Sequence, residues 1–175
     1  MEITDKFFDK VPVLKTRSRV DDRGRMTVTY EDDFFDNDET GFKVKETRIY
    51  TMPEKGTFFG IHYREEKDPM TKLVSVIKGR GMDYIVDLRK DSPTYLKWKS
   101  IELSAENGIA VLVPAGFGHG FLSLEDDTIQ YYSVDTCGSN AFSKSVNYLD
   151  EKIGLKLEIP VTKIADYDLN ASFIE

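Results

Sequence analysis

The chain has 175 residues, 40% hydrophobic and 31% charged, a length that supports one core and excludes two large domains. Its 11 Phe and 9 Tyr, beside many Val, Ile and Leu, exclude a disordered chain. Acidic residues number 31 against 24 basic ones, a net charge of −7, which excludes a nucleic-acid backbone as partner because that affinity comes from clustered cations. Cys137 is the only cysteine, so no internal disulfide and no thiolate zinc set can form. The start, Met1-Glu2-Ile3-Thr4-Asp5-Lys6, lacks an apolar secretion segment, and no stretch approaches the roughly 18 apolar residues of a membrane span. A cytoplasmic protein without membrane attachment is expected.

Along the chain, apolar residues recur at two-residue spacing or in short blocks broken by Gly, Pro, Asp and Asn, the pattern of strands. Strands are expected over Arg25 to Tyr30 and Lys43 to Tyr50. A hairpin follows, Lys72 to Ile77 and Met82 to Leu88 around Lys78-Gly79-Arg80-Gly81. Ile101-Glu102-Leu103 turns through Ser104 to Gly108 into Ile109 to Val113, which Pro114 ends. Further strands are expected over Phe117 to Ser123 and Thr128 to Val134. Near the C-terminus Ile153, Leu155, Leu157 and Ile159 alternate before Pro160, predicting one more extended segment, then a short helix or coil carrying Ala165 to Asp168. Eight or more short strands in one domain, residues 1–175, point to an all-β closed barrel or two-sheet jelly roll, since both dispose of exposed strand edges.

The chain has two histidines, His62 in Phe58-Phe59-Gly60-Ile61-His62-Tyr63 and His119 in Pro114 to Phe121, the first standing two residues after Gly60 and the second between Gly118 and Gly120, glycines that let a ligand approach the backbone. The second stretch, a proline-glycine turn followed by a histidine and a phenylalanine, resembles the second signature of the cupin barrel. The first cupin signature normally supplies two histidines one residue apart, and here only His62 stands there, which argues against a metal site and for metal-free chemistry.

Gly60 to Tyr63, Lys72-Leu73-Val74, Val86 to Arg89 with Ser92-Pro93-Thr94, Lys97-Trp98, Glu102 to Asn107, Pro114 to Phe121 and the Tyr132 strand together resemble the dTDP-4-dehydrorhamnose 3,5-epimerases. The similarity covers about residues 20 to 170, and it implies a cupin-type jelly roll that inverts carbon 3, carbon 5 or both of a nucleotide-linked 4-keto-6-deoxy sugar, in deoxysugar biosynthesis, with no cofactor. A ketone acidifies the hydrogens on its neighbouring carbons, so this reaction needs a base on one face, an acid on the other and a cation at the carbonyl oxygen. The resemblance assigns these parts to His62, Tyr132 and Lys72. Tyr131 is the neighbour that a one-residue slip would substitute for Tyr132. The resemblance gives His62 an aspartate near the C-terminus, Asp168 with Asp166 in reserve, and a carboxylate there fixes the tautomer and raises basicity. Asp83 is placed to serve His119, a substrate contact, in the same way, provided that its strand turns it inward.

The chain departs from the family in the half of the site that grips the nucleotide. Phe59 stands in place of a diphosphate-binding arginine, Met26 in place of a stacking aromatic, and Glu46 and Arg48 in place of a glutamine and asparagine for thymine. Arg23, Arg25, Arg48 and Arg64 are alternative phosphate contacts, since a guanidinium binds phosphate bidentately. A nucleotide other than dTDP is therefore expected. The resemblance also implies a homodimer in which the strand around Arg25 to Tyr30 reaches a second copy. Two other readings use the same residues: a cupin 3,4-ketoisomerase moving the carbonyl, and a non-catalytic sugar-binding cupin, which would need no acid and base placed together.

Overall fold

A computed structural model describes residues 1–36, 40–138 and 143–175. In chain order the elements are β1 (Glu2–Phe7), β2 (Val11–Lys15), β3 (Arg17–Asp21), β4 (Gly24–Val28), α1 (Asp32–Asp36), β5 (Glu46–Met52), β6 (Thr57–Tyr63), β7 (Lys72–Lys78) and β8 (Arg80–Asp87). There follow β9 (Trp98–Ser104), β10 (Ile109–Val113), β11 (Phe117–Ser123), β12 (Thr128–Val134), β13 (Lys144–Ser145), β14 (Lys163–Ile164) and α2 (Asp166–Leu169). One sheet runs β1-β2-β10-β7-β12-β5, the other β13-β6-β11-β8-β9 with β14 alongside β6. Apart from the parallel β14 contact, all these pairings are antiparallel. The result is the cupin-type jelly roll.

Strand alternation sorts the side chains into three layers. Val74, Val76, Val111, Val113 and Tyr132 from the first sheet meet Ile85, Leu103, Phe117 and Phe121 from the second, forming the interior. The outward Leu73, Ala110 and Leu112 are covered by Phe35 and Phe42. The outward Phe58, Tyr84, Val86 and Leu122 are covered by Val146, Ile153 and the C-terminal strap. A core closed on both outer faces is what lets the neighbouring strands read as continuous apolar runs.

A bulge at Gly60 governs the second sheet. His119 pairs with His62 and Phe121 with Phe59, so two steps along β11 span three along β6. Strict alternation would send Phe59 and His62 to opposite faces; the extra residue turns both inward. Only glycine fits there, because φ is +125° and a Cβ would lie 2.6 Å from the Gly120 Cα and 2.7 Å from the His119 carbonyl oxygen.

The hairpin expected from Lys72 to Leu88 does not form: the turn at Gly79 carries the chain from one sheet to the other, so β7 pairs with β10 and β12 while β8 pairs with β11 and β9. Several boundaries also differ from the sequence expectation. The strand expected over Arg25 to Tyr30 is β4, which ends at Val28 and pairs with β3 alone in an exposed hairpin. The one expected from Lys43 begins at Glu46. Residues 153–159 keep the alternating burial but join no ladder. Their apolar side chains lie on the outer face of the second sheet, so the periodicity reports a covering segment.

Candidate active site

The inward ends of β5, β6, β7 and β12 and the exposed face of α2 enclose a cavity of about 250 Å³, lined by Arg48, Tyr50, Phe59, His62, Met70, Lys72, Gln130, Tyr132, Val134, Ser143, Ser145 and Tyr167. Each strand contributes by alternation: Arg48 and Tyr50 from β5, Phe59 and His62 across the bulge of β6, Lys72 at the start of β7, and Gln130, Tyr132 and Val134 from β12. Tyr132 faces Arg48 and Gln130 faces Tyr50 across the β12–β5 ladder, while Tyr131 points the other way.

Two histidine–carboxylate pairs stand side by side, because His62 and His119 are register partners on adjacent strands. His62 Nε2 lies 2.6 Å from Asp168 Oδ1, and Asp168 Oδ2 also accepts the Gly60 N–H at 3.3 Å. Asp168 is buried, delivered by the single turn of α2, whereas Asp166 is exposed at the start of that turn. His119 Nε2 lies 2.6 Å from the buried Asp83 Oδ1, and its Nδ1 lies 2.9 Å from the Tyr132 hydroxyl. A carboxylate only accepts, so each histidine carries its proton on Nε2; His119 Nδ1 then accepts the Tyr132 O–H, and His62 Nδ1 remains as a basic nitrogen. Tyr167 stacks on His62 with ring centroids 5.9 Å apart.

Burial dominates the electrostatics. Desolvation holds the Lys72 ammonium down at about 8, opposed by Asp83 and assisted by Arg48 and Arg64. Desolvation also raises the Tyr132 hydroxyl well above its usual value, with Asp83 and Tyr50 adding to the effect. It raises the Asp83 carboxyl too, against the pull of His119 and Lys72. Tyr132 therefore stays a proton donor at neutral pH, and Lys72 is a cation whose charge is easily lost.

The residues expected as nucleotide contacts are dispersed. Arg48 lines the cavity, held by Glu46 at 2.5 Å and by the Gly138 carbonyl at 2.8 Å. Phe59 lines it with its ring 5.5 Å from Tyr50. Arg64 is buried with Nη2 2.6 Å from Asp68 Oδ2 and is not among the lining residues. Arg23 pairs with Asp21 at 2.7 Å on the exposed β3–β4 hairpin, which also carries Met26, away from this chain's own cavity. Arg25 bonds the Ala105 carbonyl at 2.5 Å. Sequence reasoning missed Tyr50, Gln130 and Tyr167. The first two stand two residues from Arg48 and from Tyr132, so the alternation of β5 and β12 already carried that signal. Among the described residues no three His, Cys, Asp or Glu side chains are grouped to hold a metal ion.

The family model for dTDP-4-dehydrorhamnose 3,5-epimerase matches residues 7–175. A dTDP-4-dehydrorhamnose 3,5-epimerase of Sinorhizobium fredii is 34% identical over 83% of this chain and 75% of its own length. The dTDP-4-dehydrorhamnose 3,5-epimerase of Bacillus anthracis, solved with TDP and PPi bound, is 31% identical and superposes with a TM-score of 0.91 over 99% of both chains. A 3'-monoepimerase of Streptomyces bikiniensis, solved with dTDP-quinovose, is 30% identical with a TM-score of 0.86 over 93% of this chain and 83% of that one.

Lys72 has a signature that needs no substrate. With lysine side chains isotopically labelled, one Cε resonance should titrate near pH 8, well below the ordinary lysine range, and vanish in Lys72→Met. A full set of lysines titrating above pH 10 would show that Nζ is not desolvated.

Proposed function

The chain belongs to the dTDP-4-dehydrorhamnose 3,5-epimerase family and is an epimerase, and we propose that it inverts carbon 3, carbon 5 or both of a nucleotide-linked 4-keto-6-deoxy sugar in the Lys72 cavity, as a single domain without a cofactor. The observation that carries this reading is the joint presence in one 250 Å³ cavity of a carboxylate-backed base, a buried cation and a protonated tyrosine. His62 takes the proton from the carbon next to the ketone and becomes imidazolium, which Asp168 stabilises. The C–H electron pair moves into the ring, and the ketone oxygen becomes an enolate oxygen facing the Lys72 ammonium. Collapse of the enolate onto a proton from the Tyr132 hydroxyl, delivered to the opposite face, completes the inversion; His119, itself held by Asp83, lies behind that hydroxyl at 2.9 Å. Solvent exchange restores the two protonation states.

Substrate nucleotide and assembly follow from other surfaces. Phe59 fills a position where the family's arginine would meet a diphosphate, and its ring packs against Tyr50, which supports a nucleotide other than dTDP held through Arg48. The β3–β4 hairpin pairs with neither large sheet and leaves Val20 65% and Met26 52% exposed. An isolated two-stranded ribbon is marginal in water, which supports a homodimer in which a second copy covers the hairpin and receives Arg23 near its cavity. No helix among the described residues is long and apolar enough to cross a membrane, in keeping with a cytoplasmic enzyme.

In deuterium oxide the wild-type protein should place deuterium at carbon 3 or carbon 5 without moving the carbonyl, and His62→Asn, folded normally, should slow this by about two to four orders of magnitude. Carbonyl migration would indicate the ketoisomerase, and undiminished exchange in the variant would remove His62 as base. With one keto sugar carried on dTDP, UDP, GDP or CDP, kcat/KM should be highest on a carrier other than dTDP; a clear dTDP preference refutes the altered grip. Light scattering at micromolar concentration should give twice the chain mass, and an active monomer would refute the shared hairpin.

A further inference from the structure

Among the polar groups that line the cavity and that the reaction leaves unused, Gln130 is both fully enclosed and unpaired. Gln130 is 1% exposed and lines the cavity, and its Nε2 has no hydrogen-bond partner. Its ladder partners are Val76 on β7 and Tyr50 on β5, and neither pairs with its amide nitrogen: Val76 has no polar side-chain atom, and Tyr50 turns to Arg48. Three other polar side chains of the lining are paired, His62 with Asp168, Tyr132 with His119 and Arg48 with Glu46. Buried amides are nearly always paired, so an unpaired one lining a ligand cavity points to a partner that arrives with the ligand.

The position of Gln130 indicates which part of the ligand that is. Exposure falls from Tyr167 at 62% and the His62 side chain at 24% to Gln130 and Val134 at 1%, so Tyr167 stands at the mouth and Gln130 on the enclosed side. A 250 Å³ space accepts a sugar and not its nucleotide as well, so the anomeric diphosphate leaves through the mouth and the far side of the ring faces the enclosed side. Gln130 stands two residues beyond Tyr132 on the same face, about 6.6 Å further along the strand. A hydroxyl attached directly to a reacting carbon falls short of that separation, whereas one on the exocyclic arm of carbon 5 spans it. A carboxamide offers both a donor and an acceptor, and a hydroxyl answers both; a bare methyl answers neither.

Resting on the epimerase reading, we propose that Gln130 determines substrate specificity by pairing with a hydroxyl at the end of the carbon 5 arm, so that the preferred 4-keto sugar carries an arm longer than a methyl and hydroxylated. The His62, Lys72 and Tyr132 chemistry is the same for either arm. The test compares two nucleotide-linked 4-keto sugars on one nucleotide, with a methyl arm and with a two-carbon arm ending in a hydroxyl. Affinity is measured by calorimetry and deuterium exchange is measured separately.

Wild-type protein should bind the hydroxylated sugar about 10- to 100-fold more tightly, and Gln130→Met should erase most of that ratio. Without ligand, Gln130→Met should melt no lower than wild type, because it removes an unpaired amide at nearly constant volume. Equal affinities or a methyl preference in the wild type overturn the proposal whether or not the variant folds. So does a Gln130→Met protein that melts lower while keeping the ratio, which would make the amide structural. Exchange with no affinity ratio removes the role of Gln130 and leaves the epimerase; an affinity ratio erased by Gln130→Met with no exchange on either sugar does the reverse.

Discussion

The active-site geometry depends on one extra residue in β6. With the bulge at Gly60, Phe59 and His62 share the interior and His62 comes into register with His119; without it, one of the two would face the strap. The bulge requires backbone contact with Gly120 that no side chain allows, and it leaves a Gly60 N–H that turns to Asp168 Oδ2. The carboxylate that orients the base thus also satisfies the irregularity that places the base, so strand distortion and catalytic alignment are one arrangement.

The cavity's charges form a second coupled system. Lys72 and Arg48 bring positive charge into a desolvated space, and Asp83 and Asp168 bring negative charge, but each carboxylate contacts a histidine while Lys72 faces the open cavity. Pairing carboxylates with imidazoles keeps them from quenching the ammonium directly. Asp83 still opposes the desolvation of Lys72, so the lysine stays near the boundary between charged and neutral. An enolate next to it supplies the missing counter-charge, and that interaction is stronger in the reacting state than in the resting one.

Much of this was legible in the sequence, for reasons tied to particular residues. Gly60 before His62 and Gly118 and Gly120 around His119 marked a backbone approach, and Gly79 marked the turn between two β-rich runs, but not that β7 and β8 on either side of it belong to different sheets. Single-residue precision at Tyr132 came from family resemblance, since Tyr131 and Tyr132 are chemically alike and only the register separates them. The Phe59–His62 relation was not legible, because alternation places them on opposite faces and a bulge has no sequence mark beyond a glycine. The fate of Arg64 was hidden for a different cause: a basic residue beside a catalytic motif looks available until its guanidinium is seen turned to Asp68. In residues 153–159 the period was legible but the lack of pairing was not, since alternation records which side is covered and not whether the backbone joins a ladder.

The strap that covers the second sheet also ties catalysis to the distant end of the chain. Asp168 sits on a single helical turn, too short to hold itself in place. Asn147 grips that turn from behind: its Nδ2 donates to the Leu169 carbonyl at 2.9 Å and the Ala171 carbonyl at 3.2 Å, and its N–H donates to the Ser172 carbonyl. Asp150 receives the Ile174 N–H on Oδ2, and β14 pairs with the start of β6. The turn is therefore anchored ahead of Asp168 by a ladder and behind it by two buried polar side chains, while Ile153, Leu155 and Leu157 seat the intervening chain on apolar surface. The carboxylate reaches His62 only when that whole segment is docked, so the base is completed by the same apolar burial that closes the outer face of the barrel.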